Sequence, residues 1–285
     1  MNRNTTLTPE QEIIFAALRP HRTREEAPPK QRLWDLNGSW LKQEALRQGI
    51  FPLVYQHLKE DWKDRLPPDQ FADLKSLFRI NGQRNLRMAQ KLIQILDLLA
   101  AKGIKALAFK GPVLALQAYG NLSLRQISDL DLLLRRDEAA PALQALNDAG
   151  FLPDFPLSPK MKNYLIRTGK DVWLQKEGLP LDLHQQIPEG PRSYALGEFL
   201  WEETASILLL GREIPVLSLE NTLLVLCLQG AEEGWEALSR VADLAFVMHT
   251  NPDLNWNVLL NKAREKRMTR LLGLALLLVR EVTGM

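Results

Sequence analysis

Apolar residues recur at helical spacing through the first hundred residues of the chain. This pattern predicts three short helices and one longer helix, at residues 12–18, 40–46, 71–78 and 82–101. Proline lacks a backbone amide donor and disfavours helix in the residue before it, so Pro28-Pro29 and Pro67-Pro68 are predicted breaks. Residues 1–100 are therefore predicted to form an N-terminal helical region.

The hydrophobic period changes between residues 104 and 187, where short apolar or alternating runs lie between helix-length segments. Strands are predicted at residues 104–109, 127–134, 171–176 and 181–187, and helices at residues 112–119 and 138–149. Glu177-Gly178 suits a hairpin turn between the last two strands. The mixture is typical of an α/β core.

The pattern is helical again near the C-terminus, at residues 219–229, 233–249 and 256–282. We therefore predict an α+β fold, with a small mixed β-sheet core between two helical regions. The predicted divisions are an N-terminal helical region at residues 1–100, an α/β core at 101–190 and a C-terminal helical region at 191–285. A chain of 285 residues with 46% hydrophobic content can bury such a core.

The charge balance argues against general binding of polyanions. Thirty-six basic and 34 acidic residues give a net charge of +2, so the chain as a whole has no strong field. The basic run at residues 262–270 would be the footprint of a nucleic-acid enzyme, but such a run is more often a solvated helix face. Nucleic acid is therefore not an expected partner.

Several features bear on the cellular location. The first residues lack the basic-then-apolar order of a signal peptide, and no apolar run approaches the roughly 20 residues that a membrane span needs. Cys227 is the single cysteine and lies in an apolar run, so we expect a buried, unreactive thiol. These features predict a cytoplasmic protein without a membrane partner.

Two carboxylates stand out in an apolar strand, in the segment Ser128-Asp129-Leu130-Asp131. Strand alternation places Asp129 and Asp131 on one face. Like charges held so close repel each other, and a divalent cation would compensate them. Mg²⁺ (or Mn²⁺) suits such oxygen ligands. The alternative is a strand end whose two aspartates face water.

A third carboxylate, Asp182, lies about fifty residues later in another alternating strand. Three acids can form a two-metal site in which one pair bridges the ions and the third binds the ion that activates a hydroxyl. This chemistry gives Asp129 and Asp131 the bridging role and Asp182 the activating role. His184 shares a strand face with Asp182 and is predicted to orient a carboxylate, contact the substrate or simply pack. Ser128 is a further candidate to support a ligand.

Lys110 and Gly111 lie at a predicted junction of strand and helix. Such a junction offers free amides and the positive end of a helix dipole to a phosphate. Gly111 would allow close approach of the backbone, and Lys110 would add a point charge. Arg125 is a further candidate for phosphate contact. These three residues form the predicted nucleotide-binding set, and the alternative for the junction is a solvated loop.

The order and spacing of these motifs resemble the bacterial uncharacterised nucleotidyltransferases, a branch of the polymerase-beta-like superfamily. The similarity extends from residue 40 to residue 250. The resemblance implies catalytic and metal-binding roles for Asp129, Asp131 and Asp182, and it implies that Gly111 opens a phosphate-facing helix in a nucleotidyltransferase core. The wider superfamily usually has Gly-Ser at that turn, whereas this chain has Lys110-Gly111-Pro112.

The resemblance also implies a function. A nucleoside monophosphate would move from a nucleoside triphosphate such as ATP to a hydroxyl group, with Mg²⁺ (or Mn²⁺) as cofactor. The acceptor would be a small molecule or a side chain of a partner protein. The alternative is a catalytically inactive member that binds a nucleotide or a protein. The missing serine favours this alternative, whereas three retained acids favour an enzyme.

Overall fold

The N-terminal part of the chain is helical. The computed structural model describes residues 7–20, 36–61, 67–187 and 196–285, and the predicted break at Pro28-Pro29 lies outside them. The helices of this part are α1 (Pro9–Ala17), α2 (Gly38–Arg47), α3 (Phe51–Asp61) and α4 (Pro68–Ala101). Side chains cap the first two helices, since Thr8 forms a capping box and Asn37 accepts from the Trp40 amide.

Helix α4 is longer than predicted. The segments expected at 71–78 and 82–101 form one helix of 34 residues. Pro68 stands in its first turn, where proline is tolerated, so the proline pair marks the helix start. Gly82 does not interrupt the helix, because it lies against Ser123, and a Cβ atom at this position would come within 2.8 Å of the Ser123 hydroxyl.

A mixed sheet of six strands forms the centre, and it confirms the predicted fold class. Its strands are β1 (Ala106–Phe109), β2 (Leu130–Leu134), β3 (Val172–Lys176), β4 (Leu179–His184), β5 (Thr204–Leu209) and β6 (Arg212–Leu217). They lie in the order β3-β4-β2-β1-β6-β5. Strand β2 pairs in parallel with β4 and antiparallel with β1, whereas β1 pairs in parallel with β6.

Helices α5 (Gly111–Tyr119), α6 (Ala139–Asp148) and α7 (Pro159–Thr168) connect the first three strands. The hairpin turn at Glu177-Gly178 is confirmed between β3 and β4. The sequence did not predict α7 or the hairpin of β5 and β6, which extends the sheet beyond residue 190. Most of β5 is exposed, so that strand lacks the alternation of apolar and polar residues by which we recognised the others.

The C-terminal part contains four helices, α8 (Leu219–Glu232), α9 (Leu238–Thr250), α10 (Trp256–Glu265) and α11 (Thr269–Thr283). The single helix predicted at 256–282 is wrong, since α10 and α11 are separated by a turn in which Arg267 has a φ of +57°. Within the described ranges, no helix combines the length and apolarity that crossing a membrane requires. Cys227 is fully buried, as expected, and burial raises the pKa of its thiol to about 12.

The basic run at residues 262–270 is only partly a solvated helix face, because three of its five cations are exposed and two lie against the protein. The turn after α10 divides it, and Lys262 is only 9% exposed. Its ammonium group donates to Asn221 Oδ1 at 2.8 Å and pairs with Glu203 at 2.6 Å. Lys266 lies over the Phe199 ring, 4.1 Å from the centroid. These two cations are therefore engaged with the protein itself.

Strand alternation sends the two faces of the sheet into different cores. One face contributes Leu130, Leu132 and Leu134 to a cluster that includes α4 and α6. The other face carries Leu133 and Phe109 and packs against the apolar residues of α8, α9 and α11. Asp131 is two residues before Leu133 on β2, so its side chain points to this second face. The candidate site therefore lies on the side of the sheet that faces the C-terminal helices.

Candidate functional site

Four residues on adjacent strands form a row across the second face of the sheet. Asp131 of β2 is the register partner of Phe109 on β1 and of Asp182 on β4. Asp182 is in turn the partner of Trp173 on β3. Register partners point to the same side of a sheet, with Cβ atoms about 5 Å apart. The row therefore places two carboxylates side by side, between a buried phenylalanine and an exposed tryptophan.

Asp131 is the most deeply buried member of the acidic site, with 3% exposure. Its Oδ1 accepts from the Lys110 ammonium at 3.2 Å and lies 3.1 Å from His184 Nε2. Burial opposes ionisation, but Lys110 and His184 outweigh it and lower the pKa of Asp131 to about 2. Within the described parts of the chain, the buried Oδ2 has no hydrogen-bond partner. One oxygen of this ionised carboxylate is therefore left for a ligand.

His184 lies between two carboxylates. Its Nδ1 atom is 2.7 Å from Asp171 Oδ2, and its ring packs edge-on against Phe109 with centroids 5.1 Å apart. Burial alone would lower the pKa of the imidazole, but the hydrogen bonds to Asp131 and Asp171 raise it to about 9. The imidazole is therefore a cation at neutral pH that donates from both nitrogens.

The pKa of Asp182 is shifted in the opposite direction from that of Asp131. Burial is the main cause that raises its pKa to about 6, and the negative charges of Asp131 and Asp129 add to the rise. The three predicted acids thus converge closely enough to affect one another. Because ionised Asp182 is not fully compensated by the surrounding side chains, a cation would be favoured beside it.

A group of side chains at this position can hold a metal ion. Asp131, Asp182 and His184 each offer one ligand atom, and these atoms lie within 4.8 Å of one another. The unpartnered Asp131 oxygen and the raised pKa of Asp182 fit a divalent cation. His184 already bonds a carboxylate with each nitrogen, which suits it better to orienting Asp131 than to ligating a metal.

Asp129 lies just outside β2, because the strand begins at Leu130 and not at residue 127 as predicted. The Ser128 hydroxyl donates to Asp129 Oδ1 at 2.9 Å. Asp129 is not one of the three residues whose ligand atoms cluster within 4.8 Å. Its metal-binding role and the supporting role of Ser128 therefore stay predictions.

Two successive residues with positive φ form the junction of β1 and α5. Lys110 has a φ of +56° and Gly111 has a φ of +44°. No described side chain caps the N-terminus of α5 with a hydrogen bond. A Cβ atom on Gly111 would lie 3.2 Å from the Asp129 carbonyl oxygen, so this glycine allows the helix to approach the acidic loop. The junction therefore leaves helix amides beside the acids.

Arg125 is held by a buried carboxylate on helix α9. Its guanidinium pairs with Asp243 at 3.1 Å, and the Tyr119 hydroxyl donates to the same carboxylate at 2.8 Å. Asp243 has no exposed surface. Arg125 thus links the loop before β2 to the C-terminal helices, which is a structural contact that its predicted phosphate-binding role did not include.

Arg125 also lines a cleft of about 280 Å³ next to the acids. Cations dominate its charged lining, since four basic side chains and one carboxylate contribute to it. These residues are Arg84, Lys110, Arg125, Arg240 and Asp129. Three of these cations already pair with carboxylates, and Arg84 bonds a backbone carbonyl. Arg84 is therefore the lining cation best suited to an anionic group such as a phosphate chain.

Helix α4 holds the loop that carries these residues. The Asn85 side-chain amide donates to the carbonyls of Leu122 and Arg125, and Asn81 donates to those of Ser123 and Arg125. Arg84 donates to the Ser128 carbonyl at 3.1 Å. The N-terminal helical region therefore positions the loop between α5 and β2.

The sequence did not single out Arg84, Arg240, Asp171 or Trp173 as site residues. Arg84 and Arg240 come from helices distant in sequence, so no local motif marked them. Asp171 and Trp173 do have a local signal, since Trp173 lies on β3 as the register partner of Asp182 and Asp171 stands two residues before it, just outside the strand. Both residues could have been predicted from their position at or just before β3, the strand that forms a hairpin with the strand of Asp182.

The family model described as uncharacterised nucleotidyltransferase matches residues 36–284. The chain belongs to this family. The match spans α2 to α11 with the whole sheet, and so includes every residue of the row that runs from Phe109 to Trp173. No curated protein matches the chain.

Two solved structures show similarity to this nucleotidyltransferase-family chain. One is the lincomycin-bound lincosamide antibiotic adenylyltransferase LnuA, with 20% identity, a TM-score of 0.39 and coverage of 55% of this chain and 94% of that one. The other is an antigenic nucleotidyltransferase-like protein from Paracoccidioides brasiliensis. It has 17% identity, a TM-score of 0.41 and coverage of 70% of this chain and 87% of that one.

Proposed function

We propose that this protein transfers a nucleoside monophosphate from a nucleoside triphosphate to a hydroxyl group, at a site built on Asp131 and Asp182. The observation that carries the proposal is the unpartnered, buried oxygen of Asp131 beside an acid whose pKa is raised to about 6. The basic cleft that adjoins these acids adds a place for the triphosphate. Membership of the nucleotidyltransferase family agrees with this chemistry.

Asp131 and Asp182, with Asp129 nearby, would hold the divalent cation. When bound there, Mg²⁺ or Mn²⁺ neutralises charge on the phosphates and makes the acceptor hydroxyl more acidic. His184 would keep Asp131 in position, since it holds one oxygen of that carboxylate at 3.1 Å and leaves the other available.

In the transfer step, the acceptor oxygen forms a bond to the α-phosphorus. The bond from that phosphorus to the oxygen bridging to the β-phosphate breaks, and pyrophosphate leaves. The Asp182 carboxylate, which is ionised at neutral pH, takes the hydroxyl proton through its second oxygen. Lys110, Arg84 and the amides at the start of α5 would bind the phosphates, so binding and orientation supply most of the catalysis.

From the sequence we further propose Mg²⁺ as the preferred ion, ATP as the nucleotide, a cytoplasmic location, and an acceptor that is a small molecule or a protein side chain. The basic cleft accounts for the triphosphate, so no nucleic-acid partner is proposed.

A labelling experiment tests the proposed reaction. The protein is incubated with nucleoside triphosphates labelled at the α- or the γ-phosphate, with Mg²⁺ or Mn²⁺ and a collection of hydroxyl compounds. Label from the α-phosphate is expected to reach an acceptor, and Asp131→Asn is expected to abolish the transfer. Asp97→Asn, on the exposed part of α4, serves as the control that removes a carboxylate elsewhere.

Transfer of the γ-label would contradict the proposal, because it would make the protein a phosphotransferase. Nucleotide binding without transfer of either label to any acceptor would support the alternative, a family member that binds nucleotide without turnover.

A further inference from the structure

Trp173 is a large apolar side chain in an exposed position beside the proposed catalytic acid. It is 67% exposed, although its neighbours Val172 and Leu174 on β3 are buried. Its register partner is Asp182, on the same face of the sheet. Exposing an indole costs the free energy of hydrating its apolar surface, so an exposed tryptophan next to a reactive group is expected to meet a ligand.

A groove with a volume of about 410 Å³ lies along the strand that carries Trp173. Apolar side chains make up most of its lining, and Phe155, which is 81% exposed, is among them. The volume lies within the range of roughly 300 to 1,000 Å³ that is typical of small-molecule sites. The further apolar lining residues are Pro153, Leu157, Leu165 and Val172.

The groove and the basic cleft differ in charge. The groove has two carboxylates, Asp154 and Asp171, and one cation, Lys170. The cleft has four cations and one carboxylate. Asp171 also bonds His184, which in turn contacts Asp131, so Asp171 and His184 connect the groove with the acidic site. A triphosphate is therefore favoured in the cleft and disfavoured in the groove.

We infer that the groove with Trp173 at its edge is the acceptor site, and that the acceptor is an uncharged or cationic small molecule with an apolar ring and a hydroxyl group. This inference rests on the proposed function. The ring stacks on the Trp173 indole while the hydroxyl faces Asp182, so the tryptophan selects the acceptor and brings it to the acid. A protein side chain as acceptor is the competing possibility.

Binding of phenyl β-D-glucoside, measured by saturation-transfer NMR, tests the inference because this probe combines an aromatic ring with hydroxyl groups. The ring protons are expected to receive saturation from the wild-type protein, and glucose without the ring is expected to bind more weakly. Trp173→Ala is expected to weaken binding of the probe by roughly tenfold. Trp173→Phe should keep most of the affinity, because it preserves a flat ring.

Trp256→Ala is the matched control, since Trp256 is 43% exposed on α10 and does not line the groove. It is expected to bind the probe as the wild type does. Equal binding by wild type and Trp173→Ala, or no binding by the wild type, would overturn the inference. Stronger binding of a tyrosine-containing peptide than of the glucoside, unaffected by Trp173→Ala, would also overturn it in favour of a protein acceptor.

The same proteins are titrated with nucleoside triphosphates and Mg²⁺. Trp173→Ala is expected to bind the nucleotide as the wild type does, because Trp173 does not line the basic cleft. If the wild type bound a nucleotide but not the glucoside, the acceptor groove would be rejected and the proposed function would stand. Failure of the wild type to bind any nucleotide would instead reject the proposed function.

Discussion

The Nε2 atom of His184 lies 3.1 Å from Oδ1 of Asp131, and its other ring nitrogen lies 2.7 Å from Asp171. Asp131 is consequently paired with a fixed cation even without a metal ion. Lys110 contributes a second positive charge from the junction of β1 and α5. The carboxylate can therefore be buried and ionised before any ligand binds, whereas Asp182, its neighbour on β4, has no comparable compensation.

His184→Gln is expected to remove a pH-dependent part of the stability. The folded-state pKa of His184 is about 9, above its usual 6.5, so its stabilising effect is fully present below pH 6.5 and is lost as the pH rises through 9. The shift corresponds to roughly 3 kcal/mol. Urea unfolding of both proteins in EDTA between pH 6 and pH 10 measures it. A stability difference that stays constant over this range would contradict the assignment.

Asp182→Asn is expected to stabilise the metal-free protein at neutral pH. The folded-state pKa of about 6 lies above the usual 3.8, so ionisation of Asp182 destabilises the fold increasingly between pH 4 and pH 6 and constantly above that range. The asparagine amide does not ionise, so the variant avoids the cost of a buried charge. Thermal unfolding in EDTA at pH 4.5 and 7.5 is expected to show a clearly larger gain at the higher pH.

Adding Mn²⁺ completes this test. The ion is expected to raise the melting temperature of the wild type at pH 7.5 and to have little effect on Asp182→Asn. Asp97→Asn, which removes an exposed acid from a surface ion pair with Arg212, is expected to respond to Mn²⁺ like the wild type. An equal response of all three proteins would show that the ion binds elsewhere.

Asp243→Ala is expected to lower the free energy of unfolding by about 3 to 5 kcal/mol, because it leaves the buried Arg125 guanidinium without its partner. Arg240→Ala, on the same helix, breaks a half-exposed pair with Glu233 and is expected to cost less than about 1 kcal/mol. Chemical denaturation of the two variants provides the comparison. Similar losses would mean that the buried pair does not join the loop to α9 as we infer.

Gly111→Ala is expected to weaken nucleotide binding and to cost about 1 kcal/mol of stability, since an L-residue is strained at a φ of +44°. The added methyl group would also press on the Asp129 carbonyl at 3.2 Å. Gly103→Ala has a similar backbone cost, with a φ of +73°, but open space around the methyl group. Nucleotide affinity should fall only in the first variant; an equal fall in both would argue against a role for this turn.

Local patterns predicted that Asp131 and Asp182 lie on strands, whereas Asp129, predicted to share the strand of Asp131, lies just outside β2. Alternation placed Asp131 and Asp182 on strand faces, and their adjacency follows from the parallel register of β2 and β4. The contact of Arg125 with Asp243 could not be predicted in this way, because 118 positions separate the two residues and no periodic signal links them. The same holds for Arg84, which reaches the cleft from α4.

The sequence also failed to predict strand β5 and the continuity of helix α4, and both failures have a physical reason. Strand β5 exposes both of its faces for most of its length, so it has no hydrophobic period, and its pairing with β6 decides its structure. Gly82 looked like the start of a helix because glycine weakens helices, but it lies inside α4, where a Cβ atom would press on the Ser123 hydroxyl. Tertiary contacts overrode local preference in both cases.

The most direct test of the proposed site is a calorimetric titration of the four common nucleoside triphosphates in the presence of Mg²⁺. It is run on the wild type and on the double variant Asp129→Ala/Asp131→Ala. Binding of a triphosphate by the wild type, lost in the variant and lost on chelation of Mg²⁺, is the expected result. Equal binding by both proteins, or binding that ignores Mg²⁺, would contradict a metal-dependent nucleotidyltransferase site at Asp131.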